Sequence, residues 1–326
     1  MSSRSKARAD HRSGRAFCST GLLGLLALCA CGLIDQEEPA APAAEGEASS
    51  PAPEVSPPST ETSSGEKKTA DSQRDSAEEQ SEQEASDEDV AEEEPALEGV
   101  HIALDPGHAG GIGADPARAF TQVPDGRGGF KDCQAVGAAT NAGYPEHAFN
   151  WDVSVRLVPL LEADGAEVSL TRQNDTDFGP CVDERGQFPQ NVGADVYVSI
   201  HANGSDPYYA GYFAIISDPP LNPAQGEPSS DLAWHLMDGL AEEGFAPSNQ
   251  IAGGVMARSD IAGLNWAEVP AVMMELGEMR NAEEAAVMET EEGRQRYAEA
   301  LHAGLVSWSQ AQSQEQSAAE AEEPPA

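Results

Sequence analysis

Two hydrophobic periods alternate along the middle of the chain. Residues 100–104 (Val-His-Ile-Ala-Leu) form a short apolar run ended by Asp105-Pro106-Gly107, which predicts a strand and a turn. From His147 the period lengthens. Phe149, Val153, Leu157, Leu160 and Leu161 share one helical face, and Gly165 ends it. Residues 166–171, 195–200 and 211–216 read as further strands, and 230–243 as an amphipathic helix through Leu232, Leu236 and Leu240. Residues 270–276 are almost wholly apolar, as in a strand covered on both faces. Asn281 with Glu284 predicts a capped helix start, and 294–308 a last helix. Strands alternating with helices predict one layered α/β domain over residues 99–308, its mainly parallel twisted sheet flanked by helices. The Gly-, Ala-, Pro- and Asp-rich stretch 109–145 is a long excursion above the first strand, and loops of that length are usually functional or pinned.

Outside 99–308 the pattern fails. Residues 35–98 hold 21 Asp and Glu against 3 Lys and Arg, with almost no large apolar side chain. Such a segment buries too little surface to offset the entropy of ordering, so 32–98 reads as a disordered acidic linker and 309–326 as a disordered acidic tail. The whole chain carries −39, of which −21 falls on the domain. That charge argues against nucleic acid as a partner. At the N-terminus, Arg4, Lys6, Arg8, Arg12 and Arg15 precede an apolar run at 22–30, which reads as an export signal over 1–31. The run is shorter than the roughly 20 residues a membrane-spanning helix needs. It ends Leu28-Cys29-Ala30-Cys31-Gly32, which resembles a bacterial lipobox with Cys31 as the lipidated residue. The expectation is an exported monomer in the cell envelope, lipid-anchored or secreted, touching membrane only through that anchor. Cys133 and Cys181 are an isolated pair without the basic setting of a reactive thiol, and in an exported protein they predict a disulfide.

The chemistry sits at strand ends. His108 follows the first strand through the Asp-Pro-Gly turn, His201 follows 195–200 directly, and Glu275 lies near the end of the apolar strand 270–276. Ligands of open α/β sheets bind beyond the carboxyl edge, where these three groups converge. Two imidazoles and a carboxylate make a catalytic zinc set with one position left for water. Glu146, at the start of a helix facing that edge, offers the third ligand. Glu275, in an apolar setting, needs either an ion-pair partner or a raised pKa. Taken singly, each of these residues also fits a structural role.

Five segments occur in order: Ile102-Ala-Leu-Asp-Pro-Gly-His-Ala-Gly-Gly111, Glu146, Leu170-Thr-Arg172, Ser199-Ile-His-Ala-Asn203 and Val269-Pro-Ala-Val-Met-Met-Glu-Leu-Gly277. Together they resemble the zinc-dependent N-acetylmuramoyl-L-alanine amidases of the Amidase_3 type, and among these the secreted actinobacterial members. The resemblance implies one zinc ion held by His108, Glu146 and His201, with Glu275 as general base and then acid on a water the zinc activates. It implies peptidoglycan as substrate, cut at the amide between the muramic acid lactyl group and L-Ala of the stem peptide. Asn203 and Arg280 are candidate substrate-binding residues; Arg280 equally fits an ordinary salt bridge, and Asn203 the shaping of a turn. This chain departs from the family pattern at Ala109, where Gly is usual, and at His147, where Lys is common. Arg280 replaces a serine, and the segment before Glu146 is long.

Two rivals frame the reading. A non-catalytic peptidoglycan-binding or regulatory module of the same fold is disfavoured because all four catalytic positions hold competent residues. A polysaccharide deacetylase places its Asp and His ligands in another order. No Gly-x-Ser-x-Gly elbow occurs, which argues against a serine hydrolase.

Overall fold

Ile102, Ala103 and Leu104 are fully buried in β1 (His101–Pro106), as expected of a strand with layers on both faces. The computed structural model describes residues 95–322, so the expected signal, Cys31 and most of the acidic linker lie outside the described residues. After β1 the chain passes through a 3-10 turn (Gly110–Ala114), α1 (Pro116–Ala119) and the hairpin of β2 (Gln122–Pro124) and β3 (Phe130–Asp132). Then come α2 (Glu146–Ala163), β4 (Glu167–Leu170), α3 (Val182–Val192), β5 (Val196–Asn203), β6 (Phe213–Ser217) and α4 (Glu227–Glu242). The order ends with β7 (Val255–Arg258), α5 (Ala262–Asn265), β8 (Ala271–Glu278), α6 (Ala282–Met288) and α7 (Glu291–Glu322).

Six strands form one sheet in the order β4-β1-β5-β8-β6-β7. The first four run parallel; β6 turns back against β8, and β7 lies parallel to β6. The sheet is thus mainly parallel, as the alternation of periods predicts. One face packs on α2, α4 and α7, with Phe149, Val153, Leu157 and Leu161 of α2 buried beside Leu232, Leu236 and Leu240 of α4. The other face carries Tyr197, Phe213, Ile215 and Met273 against Leu264 of α5 and Phe188 and Val192 of α3.

Three features depart from the sequence pattern. The excursion at 109–145 is not a bare loop, since it contains the hairpin, and the Cys133–Cys181 disulfide ties it to the start of α3. The strand at 195–200 continues to Asn203, so His201 lies within β5 rather than after it. The expected disordered tail from 309 is helical to Glu322: α7 is already nucleated, and Ala, Gln and Glu extend a helix at little cost. Ser309 is buried, and its hydroxyl donates to the Ala96 carbonyl at 3.1 Å, so packing continues past Trp308.

Candidate metal centre and active site

Backbone geometry brings the two histidines together. Gly107 donates its N–H to the Ile200 carbonyl at 2.9 Å, and a Cβ there would stand 2.2 Å from the His201 ring, so only glycine fits. The next residue, His108, takes φ 59°, a left-handed conformation that swings its ring over the sheet edge. The rings of His108 and His201 meet edge to face with centroids 4.8 Å apart. The His108 Nδ1 lies 2.8 Å from the Ala135 carbonyl, which can only accept. Nδ1 therefore carries a proton, and Nε2 faces inward towards Glu146.

Glu146 opens α2 directly after Pro145 and is 4% exposed. Its Oε1 stands 3.1 Å from His108 Nε2 and 2.9 Å from His201 Nδ1. Backbone N–H groups hold the carboxylate in place: Ala138 donates to Oε2 at 2.6 Å and Ala202 to Oε1 at 3.2 Å. Asn150, one turn later and fully buried, donates to the Gly107 carbonyl at 3.2 Å and to Glu146 Oε1 at 3.4 Å. It joins the ligand-bearing turn to the ligand-bearing helix.

One donor atom from each of His108, Glu146 and His201 lies within 4.8 Å of the other two. Ligands held about 2.0–2.1 Å from a tetrahedral zinc stand roughly 3.3–3.4 Å apart, and the separations of Glu146 Oε1 from the two imidazole nitrogens, 3.1 and 2.9 Å, are close to that. Protonation agrees. Burial pushes the Glu146 pKa up, but the two facing imidazoles outweigh it and hold the group well below its ordinary value. Burial pushes His201 down, towards the neutral ring that ligates metal. Burial lowers the His108 pKa too, but Glu146 outweighs it and holds the group above its ordinary value, and a divalent cation taken up by this mostly buried cluster would displace the proton the pair shares.

Glu275 on β8 pairs in register with His201 on β5, and the ladder then shifts before Asn203 pairs with Glu278. Such irregularities commonly re-aim side chains beside active sites. Glu275 Oε2 is shielded from solvent and has no hydrogen-bond partner. Burial raises its pKa well above the ordinary carboxyl value, Glu146 and Glu278 add to the rise, and Arg258 opposes it. A cavity of about 800 Å³ opens over this group, bounded by His108, His201 and Glu275 on the sheet side and by Phe120, Lys131 and Val136 on the excursion.

Behind the ligands lies a buried brace. Asp105 at the end of β1 takes the Arg185 guanidinium at 2.5 Å and hydroxyls of Thr171, Tyr197 and Ser199. Arg185 also donates to the carbonyls of Pro106 and His108, at 3.0 and 2.8 Å. This network fixes the turn that carries the first histidine.

The structure therefore gathers His108, Glu146, His201 and Glu275 at one cavity. Asn203 lines the same cavity, its amide donating to Glu278 at 2.9 Å. Arg280 is exposed on the turn after β8 and is not among the cavity-lining residues. The sequence reading passed over Asn150, Lys131 and Arg258. Asn150 had a detectable signal, an amide one helical turn from Glu146; the two cations had none beyond ordinary surface residues.

A family model for N-acetylmuramoyl-L-alanine amidase matches residues 102–307. Over 219 residues the chain is 43% identical to the N-acetylmuramoyl-L-alanine amidase Rv3717 of Mycobacterium tuberculosis, covering 67% of this chain and 90% of that protein. The crystal structure of the N-acetylmuramyl-L-alanine amidase Ami1 from Mycobacterium smegmatis superposes with a TM-score of 0.64 at 44% identity, over 66% of this chain and 99% of that one. The apo form of Ami1 from Mycobacterium abscessus gives 0.63 at 42% identity, over 65% and 99%.

Proposed function

Because this chain belongs to the N-acetylmuramoyl-L-alanine amidase family, we propose that it hydrolyses the amide joining the muramic acid lactyl group to L-Ala of the peptidoglycan stem peptide, with zinc held by His108, Glu146 and His201. The observation that carries this reading is the unpartnered Oε2 of Glu275 beside the His-Glu-His cluster in an open cavity. Zinc bound there would supply Lewis acidity to polarise the scissile carbonyl and acidify water.

The chain's own residues supply the proton traffic. Glu275, with its pKa raised by burial, takes the proton of the attacking water and returns it to the leaving nitrogen of L-Ala. No hydrogen bond ties Oε2 down, so it is free to serve both atoms in turn. Asn203, at the cavity wall beyond His201, is the candidate for orienting the peptide. The Asp105–Arg185 brace and the Ala135 carbonyl keep His108 from turning away during the cycle. A non-catalytic module would have no use for an unsatisfied, shielded carboxyl, which costs stability wherever it has no task.

Mass spectrometry of purified muropeptides incubated with the protein, with and without a chelator, tests the assignment. Free stem peptide with intact glycan, lost on chelation, is the expected result; deacetylated sugar would assign the protein to another class of hydrolase. The same proposal includes export, with Cys31 as lipid anchor, and Cys31→Ser is then expected to move the protein from the membrane fraction to the medium.

A further inference from the structure

Past Glu275 the cavity continues along the sheet face that carries Met273 of β8 and Ile215 of β6, neighbours in the antiparallel ladder. It is bordered there by Arg258, the last residue of β7, and by Lys131 of β3. The two cations meet at one residue. Arg258 grips the Asp260 carboxylate with Nε at 2.8 Å and Nη2 at 2.6 Å, while Lys131 Nζ donates to the Asp260 backbone carbonyl. That grip uses Nε and Nη2 and leaves Nη1 without a hydrogen bond among the described residues. Arg258 remains 38% exposed and, with Lys131, lines the same cavity as Glu275. Asp132, the acidic neighbour on the same wall, is turned to the Gln122 amide instead.

The setting makes these charges conspicuous. The domain is strongly acidic, and Lys131 is the only lysine among the described residues. An anionic substrate approaching such a domain is repelled overall, and only a local cationic site reverses that repulsion at short range. Glu275 pairs with Phe213 and Arg258 with Ser217, so the two lie four residues, about 13 Å, apart along β6, a span that two extended peptide residues and a long side chain cover together.

We propose that Lys131 and Arg258 form a carboxylate-recognition subsite that reads the peptide part of the substrate, favouring an acidic over an amidated group on the second residue after the scissile amide. This rests on the amidase reading. Arg258 Nη1 and the Lys131 ammonium donate to the substrate carboxylate, with Asp260 as the fixed counter-ion behind them.

The test uses two synthetic muramoyl peptides that differ only in a free carboxylate or a carboxamide on the second residue. The full chain and its Arg258→Gln and Lys131→Gln variants are assayed on both for kcat and KM. The wild type is expected to prefer the acid by about tenfold or more in kcat/KM, the size of a lost charge-assisted hydrogen bond, with the difference in KM. Each variant loses most of that preference, and Arg258→Lys restores part of it. A residue acting only as a strap between hairpin and β7, or only through the pKa of Glu275, changes both substrates alike and leaves the ratio intact. Equal use of both peptides by the wild type, or an unchanged ratio in both variants, overturns the subsite. Cleavage of neither peptide by the wild type overturns the amidase reading itself.

Discussion

Glu146 and Glu275 flank the same histidine, yet their neighbours push them to opposite protonation states. Glu146 receives backbone N–H groups from Ala138 and Ala202 and faces two imidazoles, so it remains an anion, the state a metal ligand requires. Glu275 receives none of these and faces Glu146 across the site, so it holds a proton readily. Glu275→Gln is therefore expected to fold and to bind metal while losing about 10²–10⁴-fold in kcat, the usual share of a general acid–base. Steady-state rates beside elemental analysis check this; near-normal turnover would remove Glu275 from the mechanism. Much of this centre was legible in the sequence because a histidine after Asp-Pro-Gly and a glutamate inside an apolar strand each break a strong local pattern. Lys131 and Arg258 break none. Only the path of the excursion and the pairing of β6 with β7 bring them to the cavity, and neither is written in local periodicity.

At the scale of elements, β1 acts as a lever whose end is held by the Asp105–Arg185 pair. Burial pushes the Asp105 pKa up, but Arg185 and the hydroxyls of Thr171 and Ser199 outweigh it, leaving the group below the ordinary carboxylate range. A depressed folded value stabilises the fold above the unfolded pKa, about 3.9 for Asp, and that stability is lost as pH falls below it. Asp105→Asn leaves Arg185 buried without its counter-charge, so at pH 7 it is expected to cost about 3–5 kcal/mol. The gap from wild type should then narrow as the pH falls below about 4, in urea melts at several pH values. A gap constant with pH would show that the ion pair is not what the variant loses. The parallel strands and the helices α2 and α4 were visible in their periods. Helix α3 was not, because Gly186 and Pro189 interrupt it. Gly186 is there for packing: a Cβ would lie 2.5 Å from the Gly263 carbonyl at the start of α5. The reversal of β6 was equally invisible, since a buried strand shows the same apolar run in either direction.

For the whole molecule, the proposed metal site would also be a cross-link. Its three candidate ligands come from the turn after β1, the first residue of α2 and the end of β5, elements that the β1–β5 ladder, the Asn150 hydrogen bonds and a shared core also join. An ion that binds the folded chain and not the unfolded one adds about 4 kcal/mol when present at 1,000 times its dissociation constant. For a domain of this size each kcal/mol moves the melting temperature by about 2–4 °C, so chelation is expected to lower Tm by roughly 8–16 °C. The disulfide between Cys133 and Cys181 is covalent and unaffected by chelation, so the shift reports the ion alone. His201→Ala leaves two of the three ligands, and its melt should respond little to chelator. Glu275→Gln keeps all three, and its melt should respond as fully as that of the wild type. This comparison separates ligands from the proton shuttle without any turnover measurement. A wild-type melt indifferent to chelator would mean that the imidazoles and Glu146 are held together by hydrogen bonds alone, and the zinc assignment would fall.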